Sequence, residues 1–307
     1  MVCKKKIILL AGPTASGKSK LAVHLAKNLN VDIINADSMQ VYKEISVLSS
    51  RPTSNDLNIA KHHLYGFNSV RKAFSTGRWL KMTTNKINQL WSKNRTAIIV
   101  GGTGLYFKAL TDGLVKIPNI PINLRKKIRE LHKKIGQKNF FAKLTKLDPL
   151  VKQFLSPSDS HRSMRAYEVK KFTNKSLFLF ANETKSKFEK KNFKKLFINI
   201  PRVLSHKKVD ERVEKMFKEG AIEEVKKFLE MEVNKELSAN KIIGIKEIKD
   251  YIEGRATLGK TKELIKLKTR QYIKRQFTWA RGHMRSWNMI YSPNFNDLFK
   301  QALEKIS

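Results

Sequence analysis

A short apolar run at residues 7–10 ends in glycine and proline. A run of that length bounded by turn residues predicts a buried strand. Over residues 19–28 the period changes. Leu21, Leu25 and Leu29 recur every fourth position, the stripe of a helix with one buried face. Residues 31–34 and 97–100 are two further short apolar runs, the second ending at Gly101-Gly102. Short strands alternating with helices predict an α/β fold, a parallel sheet with flanking helices.

The pattern then changes. Pro118 and Pro121 break it, and residues 124–146 are basic, with Leu124, Ile128, Leu131 and Ile135 at helical spacing. Asp148-Pro149 punctuates this helix, and another follows Ser160. No alternating pattern interrupts them, so residues 117–196 predict a helical insertion into a core formed by 1–116 and 197–307. Residues 197–200 return to a strand pattern. Val209, Val213, Met216 and Phe217 line one helix face before Gly220, and Val225, Phe228 and Leu229 line the next. Residues 261–281 predict a long basic helix. The tail from about residue 288 is uninformative.

Composition narrows the partners. The 307 residues are 41% apolar, enough to bury a core. The single cysteine, Cys3, excludes an internal disulfide and fits a reducing compartment. No apolar run approaches the roughly 20 residues of a membrane span. The basic start runs through residues 7–11 into a glycine-rich loop, not into a small-residue cleavage site, so it predicts a strand, not a secretion signal, and a cytoplasmic protein. The net charge of +37, from 63 Lys+Arg against 26 Asp+Glu, favours a polyanionic partner. Abundant Lys, Asn and Ile throughout the chain also carry part of that charge as compositional bias. Its clustering is the more specific sign.

Gly12, Pro13, Thr14, Ala15, Ser16, Gly17, Lys18 and Ser19 fit G-x-x-x-x-G-K-[ST] between the first strand and first helix. Glycines let the backbone curl so that several N–H groups face one anion, and the helix N-terminus adds positive potential. Lys18 adds a full charge, and the Ser19 hydroxyl can ligate Mg²⁺. This pattern predicts a P-loop NTPase-like sheet that binds a diphosphate or triphosphate. Asp37, after the second strand, should project toward the loop, since ligands in doubly wound sheets sit at the carboxyl ends of strands. A carboxylate there serves as metal ligand, base or plain helix cap. Gly101-Gly102-Thr103-Gly104 follows another strand and allows close backbone approach, or is an ordinary strand-to-helix turn.

GPTASGKS, NADSMQVYKEI and VGGTGLYFKAL, in this order, resemble the tRNA dimethylallyltransferases, also called tRNA isopentenyltransferases, of bacterial type. DSHRSMRAYEV from Asp159, the stretch from Arg212 to Val225, IGIKE from Ile243 and TRQYIKRQFTW from Thr269 extend the resemblance over nearly the whole chain. It implies transfer of a dimethylallyl group from dimethylallyl diphosphate to N6 of the adenosine 3′-adjacent to the tRNA anticodon, with release of diphosphate. Gly12 to Ser19 would hold the diphosphate with Mg²⁺, Asp37 would be the general base, and Lys18 and Thr103 would assist. Asp37, Ser38, Met39, Gln40 and Thr103 would meet the target base. The anticodon stem-loop would be gripped by Arg125, His161, Arg162, Ser163, Met164 and Arg165 of the insertion. Lys241, Gly244, Lys246, Lys274, Arg275, Gln276 and Arg281 would add to that grip. A monomer is expected.

The residues themselves agree in part. His161, Arg162 and Arg165 share roughly one helical face, and Lys274, Arg275 and Arg281 interleave with Tyr272, Phe277 and Trp279. Cations neutralise phosphates and aromatics stack on unpaired bases, or else the aromatics belong to the core. Four positions depart from the family pattern: His161 for Gln, Lys208 for Arg, Ile245 for an aromatic and Ile273 for Ala. His62-His63 is read as a packed or capping pair. An adenylate prenyltransferase acting on free nucleotide explains the phosphate loop but not the basic insertion. A small-metabolite P-loop kinase leaves the DSMQVY and GGTGLY stretches unexplained. A non-catalytic P-loop RNA-binding protein does not explain the intact Lys18, Ser19 and Asp37.

Overall fold

The computed structural model describes residues 5–181 and 184–306, so Cys3 lies outside the described residues. The chain forms two compact units, Met1–Thr111 with Phe188–Ser307, and Asp112–Lys187. In chain order the first unit opens with β1 (Ile7–Ala11), α1 (Lys18–Leu29), β2 (Asp32–Asn35) and α2 (Ser54–Ile59). β3 (His62–His63), α3 (Thr76–Trp91), β4 (Ala97–Gly101) and α4 (Gly104–Thr111) follow. The second unit holds α5 (Ile122–Leu147), α6 (Val151–Phe154), α7 (Ser160–Thr173) and α8 (Leu177–Ala181). The first unit resumes with β5 (Phe193–Ile198), α9 (Arg202–Lys218), α10 (Ala221–Glu230) and α11 (Ile245–Ile252). It ends with α12 (Leu258–His283), β6 (Asn288–Ile290) and α13 (Phe295–Ile306).

The six strands form one sheet in the order β3-β2-β4-β1-β5-β6, every pair parallel. Parallel sheets bury both faces, which is why the central strands read as unbroken apolar runs. Ile8, Leu10, Ile33 and Ile98 face a layer containing Leu21 and Leu25 of α1 and Leu298 of α13. Ile7, Leu9, Ile34 and Ile99 face the opposite layer, with Trp79, Tyr106 and Phe107. Trp79 is fully buried, and its Nε1 donates to the Asn35 carbonyl at 2.7 Å just before the acidic loop.

The structure departs from the sequence pattern at several points. The strand expected at 197–200 begins at Phe193; half-buried Lys194 and Lys195 interrupt its apolar pattern. The tail beyond 288 holds β6 and α13. Only Ile290 of β6 is buried, which left little pattern to read, although Leu298, Ala302 and Ile306 mark the helix at four-residue spacing. The units divide at 112 and 187 rather than at 117 and 196. The second unit has no strand among its described residues and packs around Ile128, Phe140, Leu144, Val151 and Tyr167. The single helix expected over 124–146 is broken at Gly136, whose φ of 73° and ψ of 165° are not helical.

Gly101 sets the spacing of the two central loops. It closes β4 beside the end of β2, and a Cβ there would overlap the carbonyl carbon and oxygen of Ala36. Backbone cannot rotate away as a side chain can. Gly101→Ala is therefore expected to lower stability by about 3 kcal/mol, the upper end for overpacking, read as a lower urea midpoint at unchanged slope. A midpoint equal to the parent's would show that the strands can separate freely here.

Candidate active site

Residues 12–17 curl between β1 and α1. Ala15 and Gly17 take left-handed φ values of 61° and 86°. No side chain caps α1, so its first-turn N–H groups remain open to an anion. The Ser16 hydroxyl is buried without a hydrogen-bond partner among the described residues. Lys18 Nζ donates to the Pro13 carbonyl at 3.2 Å. Burial pulls its pKa from 10.5 down to about 8, against the attraction of Asp37 and with a smaller push from Arg212. A cleft of about 220 Å³ lies here, lined by the loop, Asp37, Arg51 and Arg212.

Asp37 follows β2, with no helix after it to cap. The fully buried Asn35 shapes the turn: its Oδ1 accepts from Asp37 N at 2.7 Å, and its Nδ2 donates to the carbonyls of Asp37 and Leu64. Asp37 Oδ1 accepts from Met39 N at 2.9 Å, while Oδ2 takes no hydrogen bond from the described residues. Thr103 joins this loop to the one after β4. Its N–H donates to Ala36 O at 3.1 Å, and its Oγ1 accepts from Ser38 N at 2.9 Å and donates to Ser38 Oγ at 3.2 Å. The phenol pKa of Tyr272 in α12 is raised by burial and by the charge of Asp37.

Gln276, expected to meet RNA, bridges two loops of the protein. Its side chain is 9% exposed, its Oε1 accepts from Thr14 N at 2.9 Å and its Nε2 donates to Gly102 O at 3.0 Å. The amide is spent clamping the phosphate loop to the glycine loop. Gln40 is likewise engaged, its Nε2 donating to the carbonyls of Ser49 and Ser50. Gly244 is buried at a φ of 110°, where a Cβ would lie 2.7 Å from Leu48 Cδ2. Phe277 and Trp279 are partly buried against the core. The cations Lys241, Lys246, Lys274, Arg275 and Arg281 are exposed, as expected of RNA contacts.

Arg212 lines the cleft, and no role was assigned to it from sequence. Its Nη2 donates to Leu48 O at 3.4 Å, and burial lowers its pKa while Asp37 opposes the shift. Lys208, one turn earlier, is exposed and outside the cleft, so its departure from the family Arg removes nothing from it. A chamber of about 260 Å³ shares Thr14, Asp37, Ser49 and Arg212 with the cleft; its apolar wall is Met39, Leu48, Met216, Ile242, Ile243 and Ile265, and Lys241, Thr269, Tyr272 and Arg275 complete it. Ser19 stands exposed at the start of α1 and also lines the cleft. One hydroxyl and the oxygens of a diphosphate suit Mg²⁺, which binds through few protein ligands and keeps water.

In the second unit, Glu168 is 3% exposed and holds Arg125 at 3.6 Å and Arg165 at 3.1 Å. His161 and Arg162 are exposed. Ser163 is instead fully buried, its hydroxyl donating to Asp159 O at 2.6 Å, and Met164 packs against that unit's core. Both were expected at RNA; they face inward because the apolar stripe of α7 runs through them. His62 Nδ1 meets Ala60 O and His63 Nε2 meets Asp32 Oδ2 at 2.7 Å, a packed pair as expected. No group of three or more metal-ligating His, Cys, Asp or Glu occurs among the described residues. No helix among them is long and apolar enough to cross a membrane.

The family model described as IPP transferase matches residues 40–283. A tRNA dimethylallyltransferase from Pelagibacter ubique is 50% identical over 304 residues, covering 99% of this chain and 97% of that protein. One from Rickettsia massiliae is 42% identical, covering 98% and 83%. Among solved structures, the full-length tRNA isopentenylpyrophosphate transferase of Bacillus halodurans is similar with a TM-score of 0.71 at 27% identity, covering 99% and 97%. A eukaryotic dimethylallyltransferase acting on tRNA is similar with a TM-score of 0.78 at 26% identity, covering 93% and 73%. An intact phosphate loop facing a carboxylate with one free oxygen, inside a chain matched from end to end by these proteins, places this protein in the IPP transferase family, among the tRNA dimethylallyltransferases.

Proposed function

We propose that this protein transfers a dimethylallyl group from dimethylallyl diphosphate to N6 of the adenosine 3′-adjacent to the anticodon of tRNA, releasing diphosphate. The observation that carries this reading is Asp37, with Oδ2 unengaged among the described residues, lining both the cationic cleft and the chamber with the apolar wall. The two substrates need those two surroundings. The apolar wall suits the five-carbon chain and the face of a base; the cleft suits the diphosphate.

The adenine amino group is a weak nucleophile because its lone pair is delocalised into the ring. Its nitrogen bonds to C1 of the dimethylallyl group as the C1–O bond breaks and diphosphate leaves with the electron pair. The N6 proton passes to Asp37. Lys18, Arg212 and the N–H groups of the phosphate loop stabilise the charge that develops on the leaving oxygen. Ser19 Oγ and diphosphate oxygens would hold Mg²⁺, which adds positive charge at the leaving group. The base must leave its stack to reach Asp37. The exposed cations of α12 and those of α5 and α7 grip tRNA phosphates, while Thr103 and Gln276 fix the loops that the target base approaches. A cytoplasmic monomer fits this role.

The test is transfer of labelled dimethylallyl from the diphosphate to unmodified tRNA, with free adenine nucleotide as the competing acceptor. Label on nucleotide alone would replace this reading with that of an adenylate prenyltransferase. In the same assay Asp37→Asn is expected to lower kcat by about 10² to 10⁴ with the donor KM little changed. A kcat near the parent's would remove Asp37 from the role of base.

Lys18 sets a pH dependence. Its folded-state pKa is about 8, below the usual lysine value, and a bound anion favours its charged form. Donor affinity is therefore full below that value and weakens as pH rises through it, because phosphate esters are already ionised there, their second pKa being about 6. The donor KM should rise toward tenfold per pH unit above about 8. Lys18→Arg keeps its charge throughout, so its KM should stay flat from pH 7 to 9 whatever its absolute value. Parallel profiles for the two proteins would assign the dependence to another group.

A further inference from the structure

Beyond the phosphate loop and Arg212, a third cation lines the cleft. Arg51 comes from the loop between the acidic turn and α2 and shares the cleft with Lys18 and Arg212. Its Nε is buried without a hydrogen-bond partner among the described residues. None of their ion pairs uses it. The two carboxylates whose charge reaches it, Glu224 and Glu44, are engaged by backbone N–H groups instead.

The loop that delivers Arg51 is fixed from two sides. Glu224 of α10 accepts from three successive N–H groups, Ser46 at 2.5 Å, Val47 at 2.8 Å and Leu48 at 2.9 Å. Gln40, next to the acidic turn, donates to the carbonyls of Ser49 and Ser50, both at 2.9 Å. Between these clamps Ser50 takes a left-handed φ of 50°, a conformation that costs a non-glycine residue free energy and persists only when its surroundings hold it. The guanidinium then lies against Gly66, also left-handed at a φ of 53°, where any Cβ would overlap Nη1. The chain keeps space for this side chain and holds its backbone rigid, yet gives it no anionic partner of its own.

We propose that Arg51 is a diphosphate-binding residue, the third cation on the leaving group, and that Glu224 is its positioning residue. This rests on the prenyl-transfer reading of the same cleft. A guanidinium offers paired N–H donors that match phosphate oxygens, and in a site already desolvated by the loop such contacts are strong. The diphosphate would satisfy Nε and link the phosphate loop to the loop at residues 46–51.

The test uses the full-length protein in two assays, binding of inorganic pyrophosphate by calorimetry and donor and tRNA KM in transfer. Arg51→Ala is expected to weaken pyrophosphate and raise the donor KM by about tenfold to a hundredfold, leaving the tRNA KM within about twofold. Arg51→Lys should recover part of the loss, since it returns the charge without the paired donors. Glu224→Gln should shift the donor KM in the same direction by less. A purely structural role would lower the melting temperature and leave pyrophosphate affinity alone. Should Arg51→Ala fail to fold, Arg51→Lys and Glu224→Gln decide by the same readouts. Pyrophosphate and donor constants within twofold of the parent's in a folded variant overturn the inference and leave prenyl transfer standing. A parent protein that binds neither pyrophosphate nor donor overturns both.

Discussion

The amide of Gln276 joins two loops that belong to different strands, and the geometry of the site follows from that bridge. One end accepts from Thr14 in the phosphate loop and the other donates to Gly102 in the glycine loop. β1 and β4 are neighbours in the sheet, so the bridge spans adjacent strand ends. From Gly102 the connection continues through Thr103 to Ala36 and Ser38, and Asn35 then sets the turn that carries Asp37. Asp37 is thus held relative to the phosphate loop by a chain of hydrogen bonds within one compact unit. Positioned donors stabilise a transition state best when nothing must reorganise at the moment of reaction. A glutamine suits this place because it donates and accepts at once; a carboxylate or an amine could satisfy only one loop.

Charge in the cleft is arranged against itself until substrate arrives. Lys18, Arg51 and Arg212 all lose basicity to burial, and Asp37 is the carboxylate that offsets the loss at Lys18 and Arg212. Cations held away from water cost free energy unless an anion lies near them, and a diphosphate bound as proposed would supply one. The same property serves product formation, since charge grows on the leaving oxygen as the C–O bond breaks, and cations already desolvated respond without rearrangement. Binding energy is therefore directed to the part of the donor that becomes the leaving group.

Local pattern made much of the site legible. The apolar runs of β1, β2 and β4 are visible because parallel strands are buried on both faces, and the loops after them carry the glycines, Lys18, Asp37 and Thr103. Features that depend on distant contacts were hidden. Gln276 sits in a basic helical stretch and looks like its exposed neighbours; only the fold turns it inward. Ser163 and Met164 lie between Arg162 and Arg165 but face the core, because each helix position is turned about 100° from the last. Arg51 stands in a stretch with no helical or strand period, and the carboxylate that positions its loop lies far along the chain at Glu224. The Lys194-Lys195 pair disguised half of a sheet strand because long basic side chains bury their stems and keep their ends wet.

Two departures from the family pattern belong to packing rather than chemistry. Ile245 replaces an aromatic and is 4% exposed; Ile273 replaces an alanine and is 3% exposed. Both lie in one apolar cluster with Val41, Leu48, Val213 and Ile265, and the helices that carry them, α11 and α12, pack together. One change removes volume and the other adds it. Cores tolerate simultaneous apolar exchanges that keep total volume, whereas either change alone would leave a cavity or an overlap. The cluster also seats Leu48, whose carbonyl accepts from Arg212 and whose side chain closes on Gly244. Leu48 thus ties the packing of this cluster to the place of Arg212 in the cleft.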